Sequence, residues 1–93
     1  MGRYHVDLAD QAKEDFRKIK KSGDNKSIKR LERIVEELSE EPTKGIGEPE
    51  QLKHGLSGMW SRKINKKDRI VYEINEDTVT VLVFSALGHY NDK

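Results

Sequence analysis

The chain has 93 residues, of which 33% are hydrophobic and 38% are charged, and its formal net charge is +1. This length predicts one domain over residues 1–93 with a modest core under a highly charged surface. The chain has no cysteine, which excludes disulfides and thiolate metal sites and favours a cytoplasmic protein. No apolar segment approaches the ~20 residues that a membrane-spanning helix needs, and no signal peptide is recognisable.

The first half of the chain predicts one strand followed by two helices. Apolar and polar residues alternate over residues 4–8, as in a strand with one buried face. Helical spacing follows over residues 10–22, and Gly23 is a suitable stop. A second helix is expected to begin at Asp24 or Asn25, which makes the two helices an antiparallel hairpin. Its apolar stripe consists of Ile28, Leu31, Ile34, Val35 and Leu38.

The second half predicts a loop and three strands. Residues 42–49 contain two prolines and two glycines, which favour a loop. Strands are expected near residues 59–64, 69–74 and 78–85, joined by polar turns that make antiparallel hairpins. A bulge or turn is expected before His89. The order strand-helix-helix-strand-strand-strand predicts an α+β domain, with a helix hairpin packed on a small, mainly antiparallel, twisted sheet. The opposite, solvated sheet face is the predicted substrate surface.

Charge is segregated along the chain. Residues 32–50 contain seven glutamates and two basic residues, whereas residues 53–69 contain six basic residues and one acid, Asp68. The basic residues of this second segment are Lys53, Arg62, Lys63, Lys66, Lys67 and Arg69. The segment is a candidate surface for phosphate contacts. From charge alone, a solvated face without a partner fits equally well.

Several short motifs, read in order, resemble the YoeB/Txe toxins of the RelE-like toxin–antitoxin superfamily. They are Gly-Ile-Gly-Glu-Pro-Glu at 45–50, Leu-Lys-His at 52–54, Leu-Ser-Gly at 56–58, Trp-Ser-Arg at 60–62, Asp-Arg-Ile-Val-Tyr at 68–72 and His-Tyr at 89–90. The resemblance covers essentially the whole chain. It implies a RelE-like fold and an endoribonuclease that cuts messenger RNA in the decoding site of the translating ribosome. It also implies a cognate antitoxin of the YefM/Axe type, which inactivates the toxin, and a possible homodimer.

Metal-independent RNA cleavage through the ribose 2′-OH needs a base, a cation at the phosphate and an acid for the leaving oxygen. The resemblance assigns these roles to Glu50, Arg69 and His89, with Tyr90 orienting the phosphate or the histidine, or stacking on a base. Carboxylate, guanidinium and imidazole suit these tasks near neutral pH. The resemblance implies neither a metal nor a cofactor. The residues alone also allow roles without catalysis. Glu50 could be a solvated loop glutamate, Arg69 an arginine paired with a carboxylate, and His89 a terminal histidine without a role.

Four further residues are expected to contact RNA phosphates: Lys53, His54, Arg62 and Lys63, with Arg62 nearest the reacting phosphate. The sole tryptophan, Trp60, is expected to pack in the core or in a subunit interface rather than stack on a base.

Two other functions remain compatible with the same scaffold. One is a non-enzymatic inhibitor of DNA gyrase, as in the ParE branch of the superfamily. The other is an RNA-binding module in which the four proposed catalytic residues only make contacts. The joint presence of Glu50, Arg69, His89 and Tyr90 favours the nuclease, because a gyrase inhibitor has no need for an acid, a base and a phosphate-binding cation.

Overall fold

The computed structural model describes residues 3–52 and 58–87. The elements in chain order are β1 (His5–Leu8), α1 (Asp10–Lys21), α2 (Asn25–Glu40), β2 (Glu50–Gln51), β3 (Met59–Lys63), β4 (Arg69–Asn75) and β5 (Thr80–Ser85). The predicted α+β architecture is confirmed, with the two helices packed on a mainly antiparallel sheet. The two-residue strand β2 was not predicted. In the described part of the chain, no helix is both long and apolar enough to cross a membrane.

The five strands form one sheet in the order β1-β5-β4-β3-β2. The pairs β2–β3, β3–β4 and β4–β5 are antiparallel, whereas β1 pairs with β5 in parallel. Val71 lies opposite Ser85 and Tyr72 lies opposite Val83. Phe84 is therefore an extra residue on β5, and this bulge is the irregularity that the sequence predicted ahead of His89.

The core lies between the helix hairpin and one face of the sheet. Its buried hydrophobic residues from the helices are Ala12, Ile19, Leu31, Ile34 and Leu38, and those from the strands include Ile70, Tyr72, Val81 and Val83. Trp60 is partly buried and packs against this cluster, as predicted. Tyr72 is fully buried, so packing is its structural role. The helices thus cover one side of the sheet.

Local interactions explain where α2 begins and how α1 joins the sheet. Asp24 caps α2 by accepting a hydrogen bond from the Ser27 backbone N–H at 3.2 Å, which satisfies one of the free donors at a helix start. On α1, the buried carboxylate of Asp15 accepts the Ala86 backbone N–H at 2.9 Å. This bond links α1 to the chain segment that leaves β5.

Candidate active site

Strand pairing assembles a row of four residues on the sheet face that points away from the helices. Glu50 of β2 lies opposite Ser61 of β3, Ser61 opposite Val71 of β4, and Val71 opposite Ser85 of β5. Residues that lie directly opposite each other share a face. Ser61, Val71 and Ser85 are buried, whereas Glu50 at the end of the row is exposed. The face is therefore less solvated than the sequence predicted.

Glu50 and Arg69 are neighbours at the exposed end of this face. The Arg69 Nη1 atom lies 4.0 Å from Glu50 Oε1, and the two side chains are 38% and 67% exposed. A loose pair of this kind contributes little to stability, since exposed ion pairs are typically worth about 0–1 kcal/mol. Both groups are accessible to a substrate. The carboxylate can take up a proton, and the guanidinium can donate hydrogen bonds to a phosphate.

Four of the predicted site residues are not among the residues that the structure describes. His89 and Tyr90 lie outside the described residues, as do Lys53 and His54. Their assigned roles stay predictions.

The loop that delivers Glu50 is anchored by one buried guanidinium. Arg62 is fully buried, and its side chain makes five hydrogen bonds. Three of them go to backbone carbonyl oxygens of the loop between α2 and β2, those of Glu41, Lys44 and Ile46. An arginine has five N–H donors, so every donor of Arg62 has an acceptor.

This anchoring corrects the prediction that Arg62 contacts an RNA phosphate. Its position on β3 directs the side chain toward the helices, on the face opposite Glu50, because neighbouring residues of a strand alternate between faces. Its five donors are already satisfied inside the protein. Arg62 therefore cannot bind a phosphate in this arrangement, and its role is to hold the loop.

Glu37 and Tyr72 complete the Arg62 cluster. Glu37 Oε1 accepts hydrogen bonds from Arg62 Nη1 at 2.6 Å and from the Ile46 backbone N–H at 2.9 Å. Burial raises the pKa of Glu37, but these hydrogen bonds and one from Arg33 outweigh it, so the net pKa is lowered. Glu37 is thus held as the carboxylate.

Tyr72 connects the same cluster to the start of the loop. Its hydroxyl donates to the Pro42 carbonyl at 2.7 Å and accepts from Arg62 Nε at 3.1 Å. Burial raises the pKa of Tyr72, against the lowering effect of Arg62. The phenol therefore stays protonated and keeps its bond to Pro42.

Comparison with known proteins assigns the family. The family model for the YoeB-like toxin of bacterial type II toxin–antitoxin systems matches residues 8–90. The chain belongs to this family. The toxin YoeB of Mycobacterium bovis is 42% identical over 69 residues, which are 74% of this chain and 79% of that protein.

Solved YoeB structures agree with this assignment. The YoeB dimer from Staphylococcus aureus is 30% identical, with a TM-score of 0.79 over 95% of this chain and 99% of that one. A heterotetrameric YoeB–YefM toxin–antitoxin complex from the same organism is also 30% identical, with a TM-score of 0.76 and the same coverage.

In this YoeB-like toxin, Lys63, which the sequence predicted to bind a phosphate, is partly exposed near the end of β3. It lies opposite Arg69 on the neighbouring strand, so both side chains project from the same face as Glu50. Its side chain is 46% exposed, and Nζ lies 3.2 Å from Glu48 Oε1. The ion pair is at the surface, and a phosphate can therefore displace Glu48. The binding role itself stays a prediction.

Ser61 is a residue that the sequence analysis missed. It is 1% exposed, and among the described residues its Oγ is a buried side-chain oxygen without a hydrogen-bond partner. Buried hydroxyls are usually paired. Its place in the row between Glu50 and Val71 puts this unsatisfied group next to the Glu50–Arg69 pair. No sequence signal marks it, because a serine in a strand is unremarkable until its burial is known.

A basic cleft opens beside the Glu50–Arg69 pair. It has a volume of about 910 Å³ and lies between the N-terminal half of α2 and the β3–β4 hairpin. Its basic lining residues are Lys26, Lys29, Arg30 and Arg33 from α2, and Lys63, Lys66 and Arg69 from the hairpin. Of these, the charge pattern along the sequence indicated only the hairpin residues. The spacing 26, 29, 30, 33 marks one face of a helix and is the signal that was available.

Proposed function

We propose that this YoeB-like toxin is a ribosome-dependent endoribonuclease that cuts messenger RNA in the decoding site and so stops translation. The observation that carries the proposal is the pairing of Glu50 with Arg69 at 4.0 Å on an exposed sheet face. A proton acceptor and a phosphate-binding cation are thereby brought together, on strands that are distant in sequence. A cleft lined by seven cations adjoins them.

The proposed reaction uses the substrate's own ribose. Glu50 takes the proton of the 2′-OH, and the 2′-oxygen attacks the adjacent phosphorus. Arg69 stabilises the charge that develops on the phosphate oxygens. His89 protonates the departing 5′-oxygen, so the products are a 2′,3′-cyclic phosphate and a free 5′-hydroxyl. Tyr90 orients the phosphate or the histidine. The ribosome holds the codon in place, so the site on the toxin needs to supply only part of the energy for binding the RNA.

The Arg62 cluster gives this reaction a fixed base. Glu50 follows directly on the loop whose carbonyls Arg62 binds, and β2 is hydrogen-bonded to β3 beside Arg62. A proton acceptor must lie within hydrogen-bond reach of the 2′-OH, so small displacements are costly in rate. Arg62 is therefore a positioning residue in the proposed mechanism.

The relatives also support two partners. The Staphylococcus aureus structures contain a YoeB dimer and a YoeB–YefM complex. We extend both to this chain: a cognate antitoxin of the YefM type inactivates it, and two copies associate. The cytoplasm is where ribosomes and such an antitoxin are found.

The test is messenger cleavage in a reconstituted translation reaction, mapped by primer extension. Glu50→Gln is compared with Glu48→Gln, because Glu48 is an exposed glutamate of the same loop that pairs with Lys63 at the surface. Loss of a general base is expected to slow cleavage by about 100-fold or more, whereas the Glu48 variant should cleave at close to the wild-type rate. His89→Ala should also lose cleavage.

Circular dichroism checks that all variants are folded. Absence of cleavage by the folded wild-type protein would refute the proposal and would favour the gyrase inhibitor or the RNA-binding module. Equal loss in the Glu48 and Glu50 variants would remove the special role of Glu50.

A further inference from the structure

The charges of α2 are arranged against the helix dipole. The first turn of α2 contains no acidic residue and the last turn contains no basic residue, although negative charge is favourable at the N-terminal end and positive charge at the C-terminal end. Helix α1 follows the favourable arrangement, with Asp10 in its first turn and Lys18, Lys20 and Lys21 in its last. Apart from the Asp24 cap and the Arg33–Glu37 pair, the charges of α2 therefore do not serve the stability of the helix.

The same basic residues also repel one another. Lys26, Lys29, Arg30 and Arg33 fall at i, i+3, i+4 and i+7, so they are neighbours on one face, where like charges destabilise a helix. They line the cleft together with Lys63, Lys66 and Arg69. Among the described residues the cleft lining includes one acid, Asp24, and its carboxylate already accepts hydrogen bonds from Ser27. Arg33, Lys63 and Arg69 each pair with a glutamate outside the lining, and the other four cations have no ion-pair partner among the described residues.

We propose that this cleft binds the sugar–phosphate backbone of the messenger strand next to the phosphate that is cut. The inference rests on the proposed nuclease function and extends it by naming a second contact surface. Arg69 belongs both to the cleft lining and to the pair with Glu50, so the cleft and the proposed reacting site adjoin at this residue. The stripe from Lys26 to Arg33 is about 10 Å long at 1.5 Å per residue, enough for roughly three phosphates of a stacked strand.

The lining favours a phosphate backbone over an acidic peptide. Apart from charged and polar groups, it offers only Ile46 and Ile64, and no aromatic ring is present among the described lining residues. Contacts to phosphates position a nucleic acid without reading its sequence. The cleft therefore holds the strand in place, and any codon preference arises elsewhere.

The proposal is tested by the salt dependence of binding to a labelled single-stranded 2′-O-methyl RNA, which has no free 2′-OH and cannot be cut. The cleft variant is Lys26→Gln/Lys29→Gln/Arg30→Gln. The matched control, Lys13→Gln/Lys20→Gln/Lys21→Gln, removes the same charge from exposed positions of α1 that do not line the cleft. In the cleft variant the slope of log K against log salt should fall in magnitude by about 2, at about 0.7 for each phosphate contact on a single strand.

The control variant should keep the wild-type slope. The cleft variant should melt at the wild-type temperature or higher, because the loss of three positive charges relieves repulsion on α2. An equal change of slope in both variants, or no change in the cleft variant, overturns the proposal. Tight binding of a polyglutamate peptide, lost in the cleft variant while RNA binding is kept, overturns it in favour of an acidic protein partner.

A further comparison separates messenger RNA from ribosomal RNA. Binding of the cleft variant to ribosomes without messenger should equal that of the wild type; a selective loss there would assign the cleft to ribosomal RNA and overturn the messenger assignment. Because the oligonucleotide is not cleaved, the slope is independent of nuclease activity. If the cleft variant shows the expected change of slope but the wild-type protein does not cleave messenger RNA, only the proposed function is refuted. If the wild-type protein cleaves messenger RNA but the slope does not change in the cleft variant, only this inference is refuted.

Discussion

The Arg62 guanidinium and the Glu37 carboxylate form an ion pair in which Arg62 is fully buried and Glu37 is partly exposed, with Nη1 and Oε1 2.6 Å apart. Removing two charges from water is costly, and it is compensated only when the remaining donors and acceptors are also satisfied. Here they are, because Arg62 binds three loop carbonyls and Tyr72, and Glu37 also binds Ile46. The pair therefore links α2, β3 and the loop that leads to Glu50 into one unit.

Replacement of Arg62 by lysine keeps the charge but removes the planar fork that reaches the loop carbonyls. We expect the free energy of unfolding to fall by about 3 kcal/mol, since each charge-assisted hydrogen bond contributes about 1.5–3 kcal/mol and only some can be replaced. Denaturant unfolding measures this loss. Arg17→Lys, at an exposed arginine that pairs with Glu14 on α1, is the control and should change stability by less than about 0.5 kcal/mol. Similar losses in the two variants would contradict the anchoring role.

The lowered pKa of Glu37 predicts a pH dependence of stability. Its carboxylate form is favoured in the folded state, so its contribution is fully present above the ordinary value of 4.5 and is lost as the pH falls through the lower, folded value. We expect Glu37→Gln to be less stable than the wild type near neutral pH. The difference in unfolding free energy should shrink as the pH drops below 4.5. A difference that does not change with pH would show that the charge of Glu37 is not what stabilises the cluster.

Gly47 should not tolerate a side chain. Its φ is +83°, and a Cβ atom there would lie 2.7 Å from the Lys63 carbonyl oxygen. Gly23 has a similar φ of +81° but open space around it. Gly23→Ala is therefore expected to lower the free energy of unfolding by about 1–2 kcal/mol, which is the penalty for an alanine in the left-handed conformation. Gly47→Ala should cost clearly more and should also reduce messenger cleavage, because β2 must move. Thermal unfolding of both variants makes the comparison, and equal losses would argue against close packing of the loop on β3.

The Ser61 hydroxyl, which has no hydrogen-bond partner among the described residues, predicts a stabilising substitution. Burying an unsatisfied polar group costs about 1–3 kcal/mol, so Ser61→Ala should raise the free energy of unfolding by about 1 kcal/mol. Ser27→Ala is the matched control, because Ser27 is also buried but its Oγ donates to Asp24 at 2.8 Å. That variant should be destabilised. If Ser61→Ala is destabilised as well, its hydroxyl is satisfied in the folded protein. A stabilised Ser61→Ala that cleaves more slowly would place the hydroxyl in the site.

Much of the fold was predictable because its signals are local. The apolar stripe of α2, the Asp24 cap and the stop near Gly23 are set by neighbouring residues, and the observed helix runs from Asn25 to Glu40. The three long strands and their antiparallel hairpins followed from alternation and turn residues. Strand β2 was missed because two residues cannot display a periodicity.

The site was less predictable because it depends on pairing across the sheet. Glu50 and Arg69 lie side by side because of the β2–β3–β4 register, and no local sequence pattern encodes that register. Arg62 was misassigned for a related reason: a basic residue in a basic segment is normally solvated, and only the three-dimensional arrangement of Glu37, Tyr72 and the loop carbonyls makes its burial favourable. The α2 cations were overlooked because charge was counted along the chain rather than around the helix.

The parallel pairing of β1 with β5 also has a consequence during synthesis. His5 and Leu8 lie opposite Thr80 and Val83, so the first strand finds its partner only after most of the chain has been made. Pairing between strands this distant in sequence is intrinsically slow. Strand β5 is also the direct neighbour of β4, which carries Arg69. The sheet that supports the proposed site is therefore incomplete on the nascent chain, and the proposed nuclease activity is expected only after β5 has emerged from the ribosome.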